Sequence, residues 1–331
     1  MKLRILTEAD CRALLGMREA IDVQAEAFRL LGQGAAVEGL RAVANSEQPP
    51  GVAIFNPSFL RGGLGFGVKV VSDFYGNAGR GLPRMSALVA LFDGESGQPQ
   101  ALLEGGYITD LRTGAGTALA ARHLANPGSR TLGVIGAGRV ARNQIQGLRA
   151  VFALRSIRVF ARTPARGAAL VEALRGESCE PTLVDSAEEA VRGAELVVAA
   201  TTSSAPVLRG EWLAPGTFVA AAGAYAPESR ELDDGVIRRA ACHVIDSRSD
   251  CLPRAGDFQI PIARGVLKSE AVAEISEILS GKRPGRRAPQ DVVVYKSSGV
   301  PIQDFVTARH IARRAAEQGI GQVVELGGDH D

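Results

Sequence analysis

Apolar and polar positions change their period along the chain. Over the first 40 residues Met17, Ile21, Phe28 and Leu31 recur at helical spacing, and Gly32 and Gly34 close the segment. Thr7 followed by Asp10 resembles a helix start, with a shorter acid than the usual Glu or Gln. From residue 51 to about 107 the pattern becomes short strands: GVAIF, LGFGVKVV, SALVALFD and QALLEGGYI. Tyr75-Gly76-Asn77 and Asp93-Gly94 break them. A helix follows from about Asp110 to Ala125, until Asn126-Pro127-Gly128 interrupts the chain.

Beyond that break the rhythm is strand, helix, strand. TLGVIGAG is a strand running into a Gly-rich turn, and VARNQIQGLRAV is its helix. SIRVFAR and PARGAALVEALRG repeat the pair. AELVVAATT, GTFVAAAGA and CHVIDS are nearly continuous apolar runs, as parallel strands covered on both faces require. DVVVYKSSG is a last strand and QDFVTARHIARRAAEQG a last helix. The fold class expected is α/β, a Rossmann-type parallel sheet beside a second domain.

Length agrees with two domains, since 331 residues exceed the usual allowance of roughly 150 per domain. Composition excludes more than it proposes. No apolar run approaches the roughly 18 residues of a membrane helix. Glu8 and Asp10 stand where a signal peptide needs apolar residues, so a cytoplasmic location is expected. A net charge of +2 gives no footprint for nucleic acid. Cys11, Cys179, Cys242 and Cys251 form no C-x-x-C pair, and His123, His243, His310 and His330 are scattered, so neither disulfides nor a metal is expected. Only five of the 38 basic residues are lysines (Lys2, Lys69, Lys268, Lys282 and Lys296), which draws attention to a lysine inside an apolar segment.

The first candidate chemistry is Gly136-Ala137-Gly138-Arg139-Val140-Ala141, a G-x-G-x-x-A directly after a strand and opening a helix. Gly136 permits the tight turn, Gly138 lets backbone approach a pyrophosphate, and Ala141 lets helix pack on strand. The helix N-terminus then offers free N–H groups and a positive dipole. The strand–turn–helix–strand context raises this above a bare glycine motif. An NAD site usually carries Asp or Glu at the end of the second strand, for the ribose 2′-hydroxyl. Here that strand ends Ala161-Arg162-Thr163-Pro164-Ala165-Arg166, and no acid lies from 156 to 171. Arg162, Thr163 and Arg166 suit a 2′-phosphate instead, or are solvated surface in an arginine-rich chain. NADPH/NADP is preferred to NAD.

The second is a set of cations in the first domain. Strand alternation puts Lys69 on one face with Gly67 and Val71, away from Phe66, Val68 and Val70. Taken alone, this reads as an exposed lysine on a half-buried strand. Arg112 falls in Thr109-Asp110-Leu111-Arg112-Thr113, which reads as a helix N-terminus, where the dipole disfavours a cation. It pairs with Asp110 there, or it shares an anion with the helix end.

Taken in order, Arg41, Lys69 in GVKVVS, ITDLRTGAGTALAARHLA, GVIGAG, AYAPESRELDD and VVVYKSSGVPIQD resemble the ornithine cyclodeaminase/mu-crystallin family over nearly the whole chain. The resemblance implies a homodimer of two-lobed subunits. Residues 1–125, completed by 305–331, would form an α+β substrate-binding and dimerisation domain, and 126–304 the Rossmann domain. It implies small α-amino or α-imino acid substrates and a bound nicotinamide cofactor. Arg41, Lys69 and Arg112 match the family's carboxylate-binding cations, and Ala161-Arg162-Thr163 is similar to NADPH-using members. Thr201, Ser297 and Gly299 are expected beside the cofactor, and Asp304 to orient the last helix or a site cation.

The chain departs from the pattern in two places. The family often has Gln where Val140 stands. Cyclodeaminases carry an Asp after the Gly-Gly or Gly-Ala that here precedes Tyr225, and Glu228 and Glu231 do not align with it. Tyr225 offers a hydrogen-bond donor and an aromatic wall but no anion. The expectation is an NADPH-dependent reductase of an α-imino acid, a cyclic ketimine or an imine of an α-keto acid. Arg41, Lys69 and Arg112 would hold the carboxylate, Lys69 would supply the proton and Tyr225 would flank the substrate. The alternatives are an ornithine-type cyclodeaminase using bound NAD, and a binding protein of the mu-crystallin kind without turnover.

Overall fold

A computed structural model describes residues 1–176 and 178–327, so His330 and the end of the expected 305–331 segment lie outside the described residues. The chain opens with β1 (Lys2–Leu6), α1 (Glu8–Leu14) and α2 (Met17–Gly32). Strands β2 (Ala36–Glu38), β3 (Ala42–Glu47), β4 (Pro50–Leu60), β5 (Gly65–Phe74), β6 (Met85–Phe92) and β7 (Pro99–Glu104) follow, then α3 (Gly105–Leu124). Next come β8 (Thr131–Ile135), α4 (Arg139–Val151), β9 (Ser156–Phe160), α5 (Pro164–Ala173), β10 (Pro181–Leu183), α6 (Ala187–Val191), β11 (Leu196–Ala199) and β12 (Phe218–Ala221). The remainder is α7 (Asp234–Arg239), β13 (Ala240–Ile245), α8 (Gly256–Ala263), β14 (Val272–Glu274), α9 (Ile275–Leu279), β15 (Val292–Lys296), α10 (Pro301–Gln318) and β16 (Gln322–Glu325).

These elements form two compact units, one of residues 1–112 with 301–331 and the other of residues 113–300. The division falls within α3 and just before α10, whereas the sequence reading put it at 125/126 and 304/305. The proline and glycine at 127 and 128 break the chain, but Ala115, Ala118 and Leu119 of α3 are already fully buried. Gly147 of α4 faces Gly114 so closely that an added Cβ would meet its carbonyl oxygen at 2.4 Å, which places the second half of α3 in the second unit.

In the first unit the strand order is β16-β1-β7-β6-β5-β4-β2, with β3 also on β4. Pairing is antiparallel except between β1 and β7. β1 is absent from the sequence reading, because KLRIL runs directly into α1 and offers no turn of its own. The Thr7–Asp10 capping box at the start of α1 is as expected: Thr7 Oγ1 accepts from the Asp10 amide, and Asp10 Oδ2 accepts from the Thr7 amide at 2.9 Å. Burial alternates strictly along β5, with Gly65, Gly67, Lys69, Val71 and Asp73 on the covered face. Helix α10 packs against that sheet. Its close approach depends on Gly67, where a Cβ would stand 2.8 Å from the Phe305 ring and 2.7 Å from the Ala90 carbonyl oxygen.

In the second unit all pairing among the named strands is parallel, in the order β10-β9-β8-β11-β12-β15-β13-β14. Its first five strands run 3-2-1-4-5, the doubly wound arrangement of a dinucleotide-binding sheet. β11 and β12 are buried at every residue, as their continuous apolar runs indicated. Among the described residues no helix is long and apolar enough to cross a membrane.

Candidate active site

Lys69 and Arg112 come together in the first unit around a third residue. Asp304, in the first turn of α10, places Oδ2 2.6 Å from Lys69 Nζ and Oδ1 3.1 Å from Arg112 Nε. All three are buried, Lys69 at 6%, Arg112 at 8% and Asp304 at 3% exposure. Thr109 Oγ1 accepts weakly from Lys69 Nζ at 3.5 Å. Burial depresses the Lys69 ammonium to a pKa of about 8, reinforced by Arg112 and Arg41 and opposed by Asp304. For Asp304 burial works against ionisation, but Arg112 and Lys69 outweigh it and hold the carboxyl below its ordinary range.

The helix-start reading of Arg112 is corrected here. Helix α3 begins at Gly105, about two turns earlier. Its first amides, those of Gly106 and Tyr107, are capped by the Glu104 carboxylate at 2.6 and 2.8 Å. Arg112 therefore meets no opposing dipole, and its charge is answered by Asp304. Arg41 is half-buried and donates through Nε to Asn56 Oδ1 at 2.8 Å. Asn56, 5% exposed, pairs in register with Lys69 across β4 and β5.

In the second unit the phosphate turn has the geometry its residues promise. Gly136 sits at φ +119°, and a Cβ there would lie 2.3 Å from the Ala200 carbonyl oxygen, so no larger residue fits. Gly138 caps α4 without a side-chain hydrogen bond, and a Cβ on it would meet nothing within 4 Å. Space is therefore open at Gly138 itself, while Ala141 is fully buried, Arg139 exposed and Val140 half-buried. These features fit a dinucleotide's pyrophosphate. Ala161 is buried, whereas Arg162, Thr163 and Arg166 are exposed around the N-terminus of α5, whose Thr163 cap makes no side-chain hydrogen bond.

The acids after β12 are accounted for individually. Glu231 is fully buried, and its carboxylate accepts from Thr201 N and Oγ1 at 2.6 and 2.8 Å and from Gly223 N and Ala224 N at 2.7 and 3.1 Å. It ties the ends of β11 and β12 together. Burial raises its pKa, with Lys296 acting the other way. Asp257 accepts from the amides of Glu231 and Leu232 and pairs with Lys296 at 2.8 Å, both side chains fully buried. Lys296 also donates to the Ala224 carbonyl. Tyr225 is 59% exposed and Glu228 is exposed. Ser297 Oγ and the Gly299 amide, expected beside the cofactor, turn inward onto buried Asp246 at 3.2 and 2.7 Å. Sequence reasoning missed Asn56, Asp246 and Asp257. Lys296 carried a signal, as a rare lysine ending the apolar run VVVYK. Among the described residues no group of three or more His, Cys, Asp or Glu could hold a metal ion.

The family model for the ornithine cyclodeaminase/mu-crystallin family matches residues 1–319. The chain belongs to this family. A Δ(1)-pyrroline-2-carboxylate reductase of Bacillus cereus is 31% identical over 324 residues, covering 97% of this chain and 99% of the relative. The structure of Thermococcus litoralis Δ(1)-pyrroline-2-carboxylate reductase, in complex with NADH and L-proline, is similar with a TM-score of 0.91 at 33% identity, covering 96% of this chain and 99% of that one. An archaeal alanine dehydrogenase dimer with bound NAD matches with a TM-score of 0.91 at 30% identity, covering 99% of this chain and 100% of that one. Membership agrees with the resemblance in LRTGAG, GVIGAG and KSSGVP, and with a parallel-sheet unit accompanied by a second, mostly antiparallel one.

Proposed function

We propose that this chain reduces a small α-imino acid with NADPH. It is an oxidoreductase acting on carbon–nitrogen double bonds, and its substrate is a cyclic ketimine or an imine of an α-keto acid. The observation that carries the reading is the buried Lys69–Asp304–Arg112 cluster with Arg41 beside it. Among the described residues Lys69 and Arg112 share the one carboxylate of Asp304, an excess of positive charge that a substrate carboxylate completes. Among the described residues Arg112 meets Asp304 through Nε alone, so its terminal nitrogens remain for such an anion.

The bound dinucleotide supplies a hydride to the imine carbon. Gly136, Gly138 and the first turn of α4 would hold its pyrophosphate, and Arg162, Thr163 and Arg166 its 2′-phosphate. Arg41 and Arg112 fix the substrate carboxylate and so orient the carbon to be reduced. As that carbon gains a C–H bond, the π pair of the C=N bond moves to nitrogen, which takes a proton from the Lys69 ammonium. Lys69 is left neutral and is reprotonated from solvent. A pKa of about 8 suits that exchange near neutral pH.

The cyclodeaminase alternative needs an anion for the substrate's second amino group. Glu231 is spent on four donors, and Tyr225 stands in the place of the family's Asp. The dimeric state and the division into a substrate-binding domain and a Rossmann domain belong to the same proposal. A panel of cyclic ketimines and keto acid–amine mixtures tests it, followed by NADPH fluorescence. Oxidation with some member is expected. NADPH binding without oxidation across the panel would favour the binding-protein reading, and ammonia release from ornithine the cyclodeaminase.

A further inference from the structure

The first turn of α10 comes down on the covered face of β5 because Gly67 offers no side chain there. That approach puts Asp304 against Lys69, 235 residues away in sequence. Its two oxygens are divided, Oδ2 to Lys69 Nζ at 2.6 Å and Oδ1 to Arg112 Nε at 3.1 Å. The helix N-terminus adds its own preference for a carboxylate at this position. The charged and titratable groups facing Lys69 are Asp304 from α10, Arg112 from α3 and Arg41 from the segment before β3, with Thr109 from α3 as a neutral neighbour. The residues paired with it from β4 and β6 are Asn56 and Val89, both uncharged. Without Asp304, the buried Lys69 and Arg112 would lose the carboxylate that both of them meet.

We propose that Asp304 is a positioning residue that shares one carboxylate between Lys69 and Arg112, holding the two buried cations in place and stabilising the ammonium form of Lys69. The role of that proton rests on the reading under Proposed function, but the sharing does not. Burial is the largest effect lowering the Lys69 pKa, and Asp304 is the anion that raises it again. Restoration is incomplete because burial is the larger effect, and the Arg112 charge adds to it.

The chain's five lysines make a direct test practicable. Lysine side chains labelled at Cε give few NMR signals, and Lys69→Arg assigns the one of interest in the ligand-free protein. Titration of Lys69 is expected near pH 8 in the unmodified protein and lower by about one unit or more in Asp304→Asn. Asp304→Glu should restore most of the shift. An unmoved Lys69 titration in a folded Asp304→Asn protein, judged by unchanged signals from the other four lysines, would overturn the proposal. If Asp304→Asn does not fold, Arg112→Gln takes its place. Releasing the whole carboxylate to Lys69 should raise its titration above that of the unmodified protein, and an unmoved or lowered titration contradicts sharing. Absence of imine reduction together with the expected shifts would count against the proposed reaction and leave the role of Asp304 standing.

Discussion

Lys69 lies on the strand face it shares with Gly67 and Val71, and α10 rather than solvent covers that face. Alternation in the sequence grouped these residues correctly, but which face is covered depends on a helix more than 230 residues later, as the 235-residue span to Asp304 shows. No local pattern carries that information. Arg112 was misplaced for a different reason: Thr109-Asp110 looks like a helix start, while the true start is capped from the preceding strand by Glu104. Two outcomes belong at this scale. If Lys69 supplies the proton as proposed, kcat/KM for imine reduction should fall as pH rises through about 8, whereas oxidation of the amino acid should rise over the same range. Rate profiles in both directions check this, and parallel profiles would remove Lys69 from the proton path. Arg162→Ala should weaken NADPH by about 1.5–3 kcal/mol, the range of a lost charge-assisted hydrogen bond, and leave NADH unchanged. Equal loss for both cofactors in binding titrations would show that Arg162 does not read the 2′-phosphate.

Among the elements, the parallel strands were the most legible, because burial on both faces forces the continuous apolar runs seen in β11, β12 and β15. The turn joining β8 to α4 was equally readable, since Gly136 occupies a backbone conformation and a space that only glycine tolerates. Edge elements were not: β2 and β3 flank β4, β16 flanks β1, and β3 is largely exposed, so their patterns are weak. The carboxylate of Glu231 joins the ends of β11 and β12 and stands in a polar run that reads as a surface loop. Glu231→Gln keeps the size but removes acceptor capacity from four donors. A buried amide left unpaired costs about 1–3 kcal/mol, so a loss of about 2 kcal/mol and a fall of roughly 4–8 °C in Tm are expected. Calorimetry showing no change would mean that the strand ends do not depend on this carboxylate.

At the scale of the whole molecule, two units of different construction carry different parts of the chemistry. One is a mostly antiparallel sheet with α10 on its face, holding the cation cluster; the other is an all-parallel sheet holding the dinucleotide turn. The sequence showed that the chain has both kinds of unit, because the pattern changes sharply near residue 127. It did not show that α3 divides between them, since a helix leaves no mark where its packing partners change. Hydride transfer to the imine carbon is tested by following the transferred hydrogen. NADPH deuterated at the nicotinamide C4 would be supplied with a ketimine acid that the protein accepts, and the product analysed by mass spectrometry. One deuterium is expected on the α-carbon of the amino acid formed, matched to the NADPH consumed, and no product with Lys69→Ala although NADPH still binds. Product lacking deuterium at that carbon, or undiminished turnover by Lys69→Ala, would contradict it.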